Sequence, residues 1–217
     1  MLSRVTDPAS APPPPALPSF EPLGIEGAWV FTPRVFGDAR GSFAEWFRGA
    51  QFEQIVGHPL QVAQSNISIS SSGVVRGVHL ARTPPGQAKY VTCMRGRVLD
   101  VVVDVRLGSP TFGQHEFVEL SEGNQRAVYV SEGLGHGFVA LTDDSAFVYL
   151  VSEPFNPTGE FGIHPLDPEL AIGWPADGEL KLSAKDEQAP SLAEVREQGL
   201  LPDYQACLKF RRGLATG

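Results

Sequence analysis

Residues 97–106 read RVLDVVVDVR, and this stretch decides the fold class. Valine is stiff at χ1 and suits a pleated strand better than a helix. Similar short runs recur outward from it: VVRGVHL at 74–80, RAVYV at 126–130, GFVAL at 137–141 and AFVYLV at 146–151. Turns holding Gly, Pro or Asn separate such runs at roughly 8–12 residue spacing, which predicts an all-β sandwich or barrel. No G-x-G-x-x-G follows a strand, there is no Walker loop, and βαβ alternation is missing. Those gaps argue against a nucleotide-binding parallel sheet.

The 217 residues suit one domain with appendages, and 42% apolar content is enough for a sizeable core. Gly at 23 and Pro at 19 fit a turn-rich β protein. A net charge of -8 argues against a nucleic-acid surface but leaves room for a local cationic pocket. No apolar run approaches the ~18 residues of a membrane span. Two cysteines, Cys93 and Cys207, cannot build a disulfide framework, which points to a reducing cytoplasm.

Residues 1–24 hold the run Pro12 to Pro15 and prolines at 8, 18 and 22. They read as a flexible or extended tail without chemistry, because prolines stand where a signal peptide needs an apolar stretch. The main domain is expected over 25–190. One short helix is predicted near Ala50 to Val56. A second is predicted over Ser191 to Gly199, where Ser191 and Glu194 form a capping box and Gly199 stops the helix. Residues 200–217 read as a solvated surface helix or loop, so 191–217 forms a C-terminal helix and tail.

The segment from Gln64 to Val91 is densest in reactive groups. Strict alternation from Val74 puts Arg76 and Val78 on one face, and Val75, Gly77 and His79 on the other. Gly77 leaves room beside His79, yet a lone strand histidine is more often structural, and both readings stand on the residues alone. A metal site is disfavoured: Gly77-Val78-His79 lacks one histidine of an H-x-H pair, and Glu116 and His136 do not complete a set. Arg40 reads as a turn residue or an anion clamp. Lys89 enters a buried-looking strand, which is unusual without a partner or ligand. Tyr149 reads as core, and Asp186 as an ordinary loop acid.

Taken together, FTPRVFGDARGSF, GVVRGVHL, PPGQAKYV, VLDVVVDVRLGSPTFGQ, VYVSEGLGHGF, DPELAIGWP and LSAKDEQAP resemble the dTDP-4-dehydrorhamnose 3,5-epimerase family, from about Ile25 to Tyr204. The family includes 3-epimerases of antibiotic-sugar pathways. The resemblance implies a double-stranded β-helix, the cupin-type jelly roll, with short peripheral helices and no metal or other cofactor. It implies a homodimer with exchanged strands and a dTDP-linked 4-keto-6-deoxyhexose substrate. It assigns His79 as base, Asp186 as its orienting acid, Tyr149 as the acid on the opposite sugar face, and Lys89 as the enolate clamp. Substrate contacts would come from Arg40, Phe43, Glu45, Gln64, Asn66, Arg76, His136 and Lys185.

Those residue types suit the chemistry. A proton beside a ketone is removable when the enolate is stabilised, and donation from the opposite face inverts the carbon. Arginines match phosphates in a bidentate way. Pro154-Phe155 stands where relatives often carry Tyr-Tyr, which affects what stacks on the thymine. Gly135 replaces a common Ala, and Ile67-Ser68 follows Asn66. The main reading is inversion at carbons 3 and 5. The alternatives are inversion at carbon 3 alone, a ketoisomerase, and a cupin that only binds sugar nucleotides.

Overall fold

The structure, a computed structural model, describes residues 18–175 and 178–216. The chain opens with β1 (Ser19–Pro22), β2 (Ala28–Thr32) and a hairpin of β3 (Val35–Asp38) and β4 (Gly41–Ala44), then α1 (Gly49–Val56). Next come β5 (Gln64–Ser70), β6 (Val75–Ala81), β7 (Lys89–Arg95), β8 (Arg97–Val103) and β9 (His115–Ser121). The strands end with β10 (Ala127–Val130), β11 (Gly135–Ala140), β12 (Ser145–Val151) and β13 (Glu160–Gly162). Three helices close the chain: α2 (Ala184–Glu187), α3 (Leu192–Glu197) and α4 (Tyr204–Leu214).

A six-stranded sheet has the order β1-β2-β10-β7-β12-β5, and a five-stranded sheet has the order β13-β6-β11-β8-β9. Every pairing within them is antiparallel. This is the all-β, jelly-roll type of sandwich expected from the sequence. Between the sheets lie Val91, Cys93, Val98, Val102, Phe138 and Phe147. On the outer side of the five-stranded sheet, Val101, Val103, Val75 and Val78 meet Ile163, Leu170, Trp174 and Leu192 from the C-terminal third. The valines of β8 are therefore buried on both faces, at roughly 1.5 kcal/mol each. On the outer side of the six-stranded sheet, Phe31, Tyr90 and Tyr129 pack against Phe52 of α1.

The described part of the N-terminal tail departs from expectation. Ser19–Pro22 pairs with β2, and Leu23 packs against the inner core, so these residues belong to the domain. Pro12 to Pro15 and the rest of 1–17 lie outside the described residues. The C-terminal segment is also more than a solvated appendage. Tyr204 and Cys207 of α4 are buried, and Arg211 bonds Glu26 at 2.8 Å. Helix α1 lies where the sequence predicts it, and α3 carries the predicted capping box at Ser191 and Glu194.

The strict alternation along β6 fails. His136 pairs with His79 and Phe138 pairs with Arg76, so Gly77 and Val78 stand opposite Gly137 alone. This extra residue is a β-bulge, which re-aims the side chains beyond it. Val75 and Val78 then share the outer core, while Arg76 and His79 face the same cavity. Gly77 has φ +137°, and a Cβ there would sit 2.6 Å from Gly137 Cα. The two glycines let the strands approach closely enough for the bulge to form.

Candidate active site

A cavity of about 160 Å³ opens between the two sheets. One wall is the five-stranded sheet, which supplies Arg76 and His79 from β6, His136 and Phe138 from β11, and Glu160 from β13. The opposite wall is the six-stranded sheet, which supplies Lys89 from β7, Ser68 from β5, and Phe147 and Tyr149 from β12. Tyr149 pairs with Val91, and Lys89 lies two residues from Val91, so both point inward from neighbouring strands.

His79 is held from behind. Its Nε2 lies 2.7 Å from Asp186 Oδ1. The acid sits not in a loop, as the sequence suggests, but on α2, a single helical turn. Ser183 caps this turn: Asp186 N–H donates to Ser183 Oγ at 3.1 Å, and Ser183 O–H donates to Asp186 Oδ2 at 2.8 Å. Burial pushes the Asp186 carboxyl up, but the hydrogen bond and charge of His79, with Ser183 and Lys185, outweigh it and hold the acid below its ordinary value. An ionised Asp186 accepts only, so the imidazole proton belongs on Nε2 and Nδ1 is left with its lone pair. The carboxylate and imidazole thus form a base with a fixed tautomer.

His136 forms a second such pair, with Nε2 2.7 Å from the fully buried Asp100 Oδ1. Burial raises the Asp100 carboxyl against the opposing pull of His136. Arg76 is bonded to Ser70 Oγ at 3.1 Å. Burial raises the Tyr149 phenol, with Arg76 pulling the other way, so Tyr149 keeps its proton at neutral pH. Burial lowers Lys89 to about 8, opposed by the charges of Glu160 and Glu132. The ammonium donates to Gln87 Oε1.

The other expected contacts divide into two groups. Gln64 and Asn66 lie on β5 beside Tyr149, where Gln64 Nε2 donates to Asn66 Oδ1 at 2.6 Å and Phe155 N–H donates to Gln64 Oε1 at 3.1 Å. Phe155 in turn lines a neighbouring cavity of about 350 Å³, together with Arg82 and Pro154. The two cavities share Gln87 and Glu160. Lys185 is exposed on α2, beside Asp186 rather than in either cavity. Arg40, Phe43 and Glu45 are not brought to the site of their own chain. Arg40 is 90% exposed and bonded to Asp38, Phe43 is 64% exposed, and Glu45 lies 3.8 Å from Arg48. Sequence reasoning missed Gln87, Glu160, Ser68 and Arg82. Gln87 had a signal, two residues before Lys89 on extended chain, and Ser68 had another, two residues after Asn66. Glu160, in a short strand after an irregular loop, had none.

A base and a proton-bearing phenol on opposite walls can exchange protons on two faces of one bound molecule. The family model described as dTDP-4-dehydrorhamnose 3,5-epimerase matches residues 22–194. The chain belongs to this family. Within it, the chain is 54% identical over 186 residues to the dTDP-4-dehydrorhamnose 3-epimerase of Streptomyces niveus, covering 86% of this chain and 89% of the relative. It is 52% identical over 193 residues to the dTDP-4-dehydrorhamnose 3,5-epimerase of Streptomyces griseus, covering 89% and 96%. The solved structure of ChmJ, a 3'-monoepimerase from Streptomyces bikiniensis in complex with dTDP-quinovose, superposes with a TM-score of 0.88 at 49% identity, covering 91% of this chain and all of that one. The family is one of isomerases, and the resemblance drawn from the sequence motifs holds across the whole sandwich. Among the described residues, no group of three or more His, Cys, Asp or Glu side chains gathers to hold a metal ion. No helix among them is long and apolar enough to cross a membrane.

Proposed function

We propose that this epimerase acts on a dTDP-linked 4-keto-6-deoxyhexose, inverting carbons 3 and 5 through an enolate. The observation that carries the reading is the facing of His79–Asp186 on one sheet by Tyr149 and Lys89 on the other. His79 Nδ1 takes the proton beside the ketone, and the imidazolium is stabilised by Asp186. Lys89 donates to the enolate oxygen, where positive charge in a dry cavity is worth most. Tyr149 returns a proton from the opposite face and inverts the carbon.

The sugar would lie in the inner cavity and the nucleotide would extend into the larger one. Arg76 supplies one diphosphate contact, Arg82 lines the outward path, and Phe155 presents an exposed ring for the thymine. The site would be completed by a homodimer. An isolated two-stranded hairpin is marginal in water. The β3–β4 hairpin belongs to neither sheet and exposes Phe36 and Phe43. In a partner's site it would deliver Arg40, Phe43 and Glu45. Two free, buried cysteines fit the reducing cytoplasm expected for this chemistry.

Inversion at carbon 3 alone is the second reading, favoured by the 54% identity to a 3-epimerase. Incubation with dTDP-4-keto-6-deoxyglucose in deuterated water, read by NMR and mass spectrometry, decides. Label and inversion at carbons 3 and 5 support the main reading, and label and inversion at carbon 3 alone establish the second. No label at either carbon overturns the proposal.

A further inference from the structure

Gln87 lies between two opposite charges, and its amide can face only one way. Lys89 Nζ is purely a donor, so the atom it meets must be the amide oxygen, and the contact is to Gln87 Oε1. The amide nitrogen then faces acceptors. Gln87 Nε2 donates to the Glu153 carbonyl at 2.9 Å and to Glu160 Oε1 at 3.3 Å. Glu160 Oε1 is itself fixed by the Asn156 N–H at 3.2 Å. Ammonium, amide and carboxylate thus form one continuous chain along the floor shared by the two cavities.

An amide in this position does something neither neighbour can. A direct Lys89–Glu160 ion pair would turn the ammonium toward the carboxylate and cancel its charge for the substrate. Without any acceptor, a buried ammonium loses its proton more readily. The interposed amide supplies an acceptor that is neutral, so Lys89 keeps its proton and its remaining N–H groups stay available. The groups facing Lys89 are Gln87, Glu160, and Glu132, the last a buried carboxyl just after β10; the same cavity also holds Tyr149 from β12 and Arg76, His79 and His136 from the opposite sheet.

We infer that Gln87 is a positioning residue for Lys89, holding its ammonium charged and aimed into the cavity while keeping Glu160 one amide away. This rests on the enolate-clamp role proposed for Lys89. The test measures deuterium incorporation from dTDP-4-keto-6-deoxyglucose across a pH series for wild type, Gln87→Leu, Gln87→Glu and Lys89→Met. Lys89→Met should lose about 10²–10³-fold in kcat, the scale for removing one donor to a developing oxyanion. Gln87→Leu should lose roughly 10–100-fold in kcat, less than removal of the donor itself, with KM changed by less than about 3-fold. Its alkaline fall in kcat/KM should move to lower pH. Gln87→Glu should also be slow, but with that fall moved to higher pH, because a carboxylate now touches the ammonium.

Opposite movements of the alkaline limb cannot come from general damage to the fold. Gln87 variants matching wild type in rate and pH profile, or moving the limb the same way, would overturn the inference. If that happens while Lys89→Met is slow, only the role of Gln87 falls. If Lys89→Met exchanges at the wild-type rate, the clamp itself falls and the inference with it.

Discussion

Replacing Asp186 separates two things that its carboxylate does for His79. The first is charge. When His79 accepts a proton, a cation forms 2.7 Å from Asp186 Oδ1, and Asp186 is only 4% exposed. A hydrogen bond to a charged partner contributes about 1.5–3 kcal/mol net, so Asp186→Ala should slow proton abstraction roughly 10- to 150-fold. The second is tautomer. Ser183 Oγ accepts from the Asp186 N–H, so its own proton is directed at Oδ2. In Asp186→Asn the side-chain oxygen settles against Ser183, and the NH2 group faces His79. A donor there forces the imidazole proton onto Nδ1 and removes the lone pair that should take the substrate proton. The asparagine variant should therefore be slower than the alanine variant, with a loss of order 10³–10⁴-fold, the scale known for a wrongly held catalytic histidine tautomer. Adding Ser183→Ala to Asp186→Asn frees the amide to turn and should recover part of the rate. The assay is initial deuterium incorporation at carbon 3 by NMR, with circular dichroism confirming the fold of each variant. An asparagine variant within about 3-fold of wild type, or faster than the alanine variant, would refute this reasoning.

Three further outcomes are expected. His79→Asn should abolish exchange at every carbon while dTDP affinity, measured calorimetrically, changes by less than about 3-fold, because the ring lines the inner cavity proposed for the sugar and not the outer one proposed for the nucleotide. Tyr149→Phe should suppress inversion more than exchange, since only the donor on the second face is lost, and equal suppression would contradict separate roles. Lys89, held at about 8 against an ordinary 10.5, predicts opposite trends in rate and stability. Between about pH 8 and 10.5 the unfolded chain binds more protons than the folded one, so the Lys89 contribution to stability rises with pH across that window. The charge needed for the enolate is lost over the same window, so kcat/KM should fall from about pH 8 upward. Urea midpoints and rate profiles of Lys89→Met should lack both trends.

The sandwich was legible in the sequence because strands buried on two faces leave long valine-rich runs, as β8 does. Helix α3 was legible because its cap is local chemistry, two side chains satisfying backbone groups three residues apart. The short helix α2 was not, because four residues carry no periodicity, and what fixes it is a capping serine together with a histidine from a distant strand. Residues 19–22 were hidden by the prolines before them, since pairing with β2 depends on a partner that the segment cannot announce. The residues proposed for catalysis, Asp186 included, stand in recognisable motifs, whereas the pair that meets Lys89 does not. Gln87 and Glu160 act through each other across loops, and no spacing rule joins positions 73 residues apart.

The misplacement of Arg76 and His79 has the most specific cause. Period-two alternation is a property of an unbroken ladder, and β6 breaks its ladder where β11 presents Gly137 to two residues at once. A regular strand would aim one of the two at the outer core, against Ile163 and Leu192, where a charged or titrating group is costly to bury. The bulge instead sets a guanidinium and an imidazole on one wall, three residues apart, while Val75 and Val78 keep their places in the core behind. Close approach is what makes this possible, and it excludes any Cβ at Gly77 or Gly137, where the nearest backbone atoms would stand at 2.6 and 2.9 Å. Gly77, which the sequence offers as space beside His79, is therefore needed one step earlier: with Gly137 it permits the ladder fault that turns His79 toward the cavity at all.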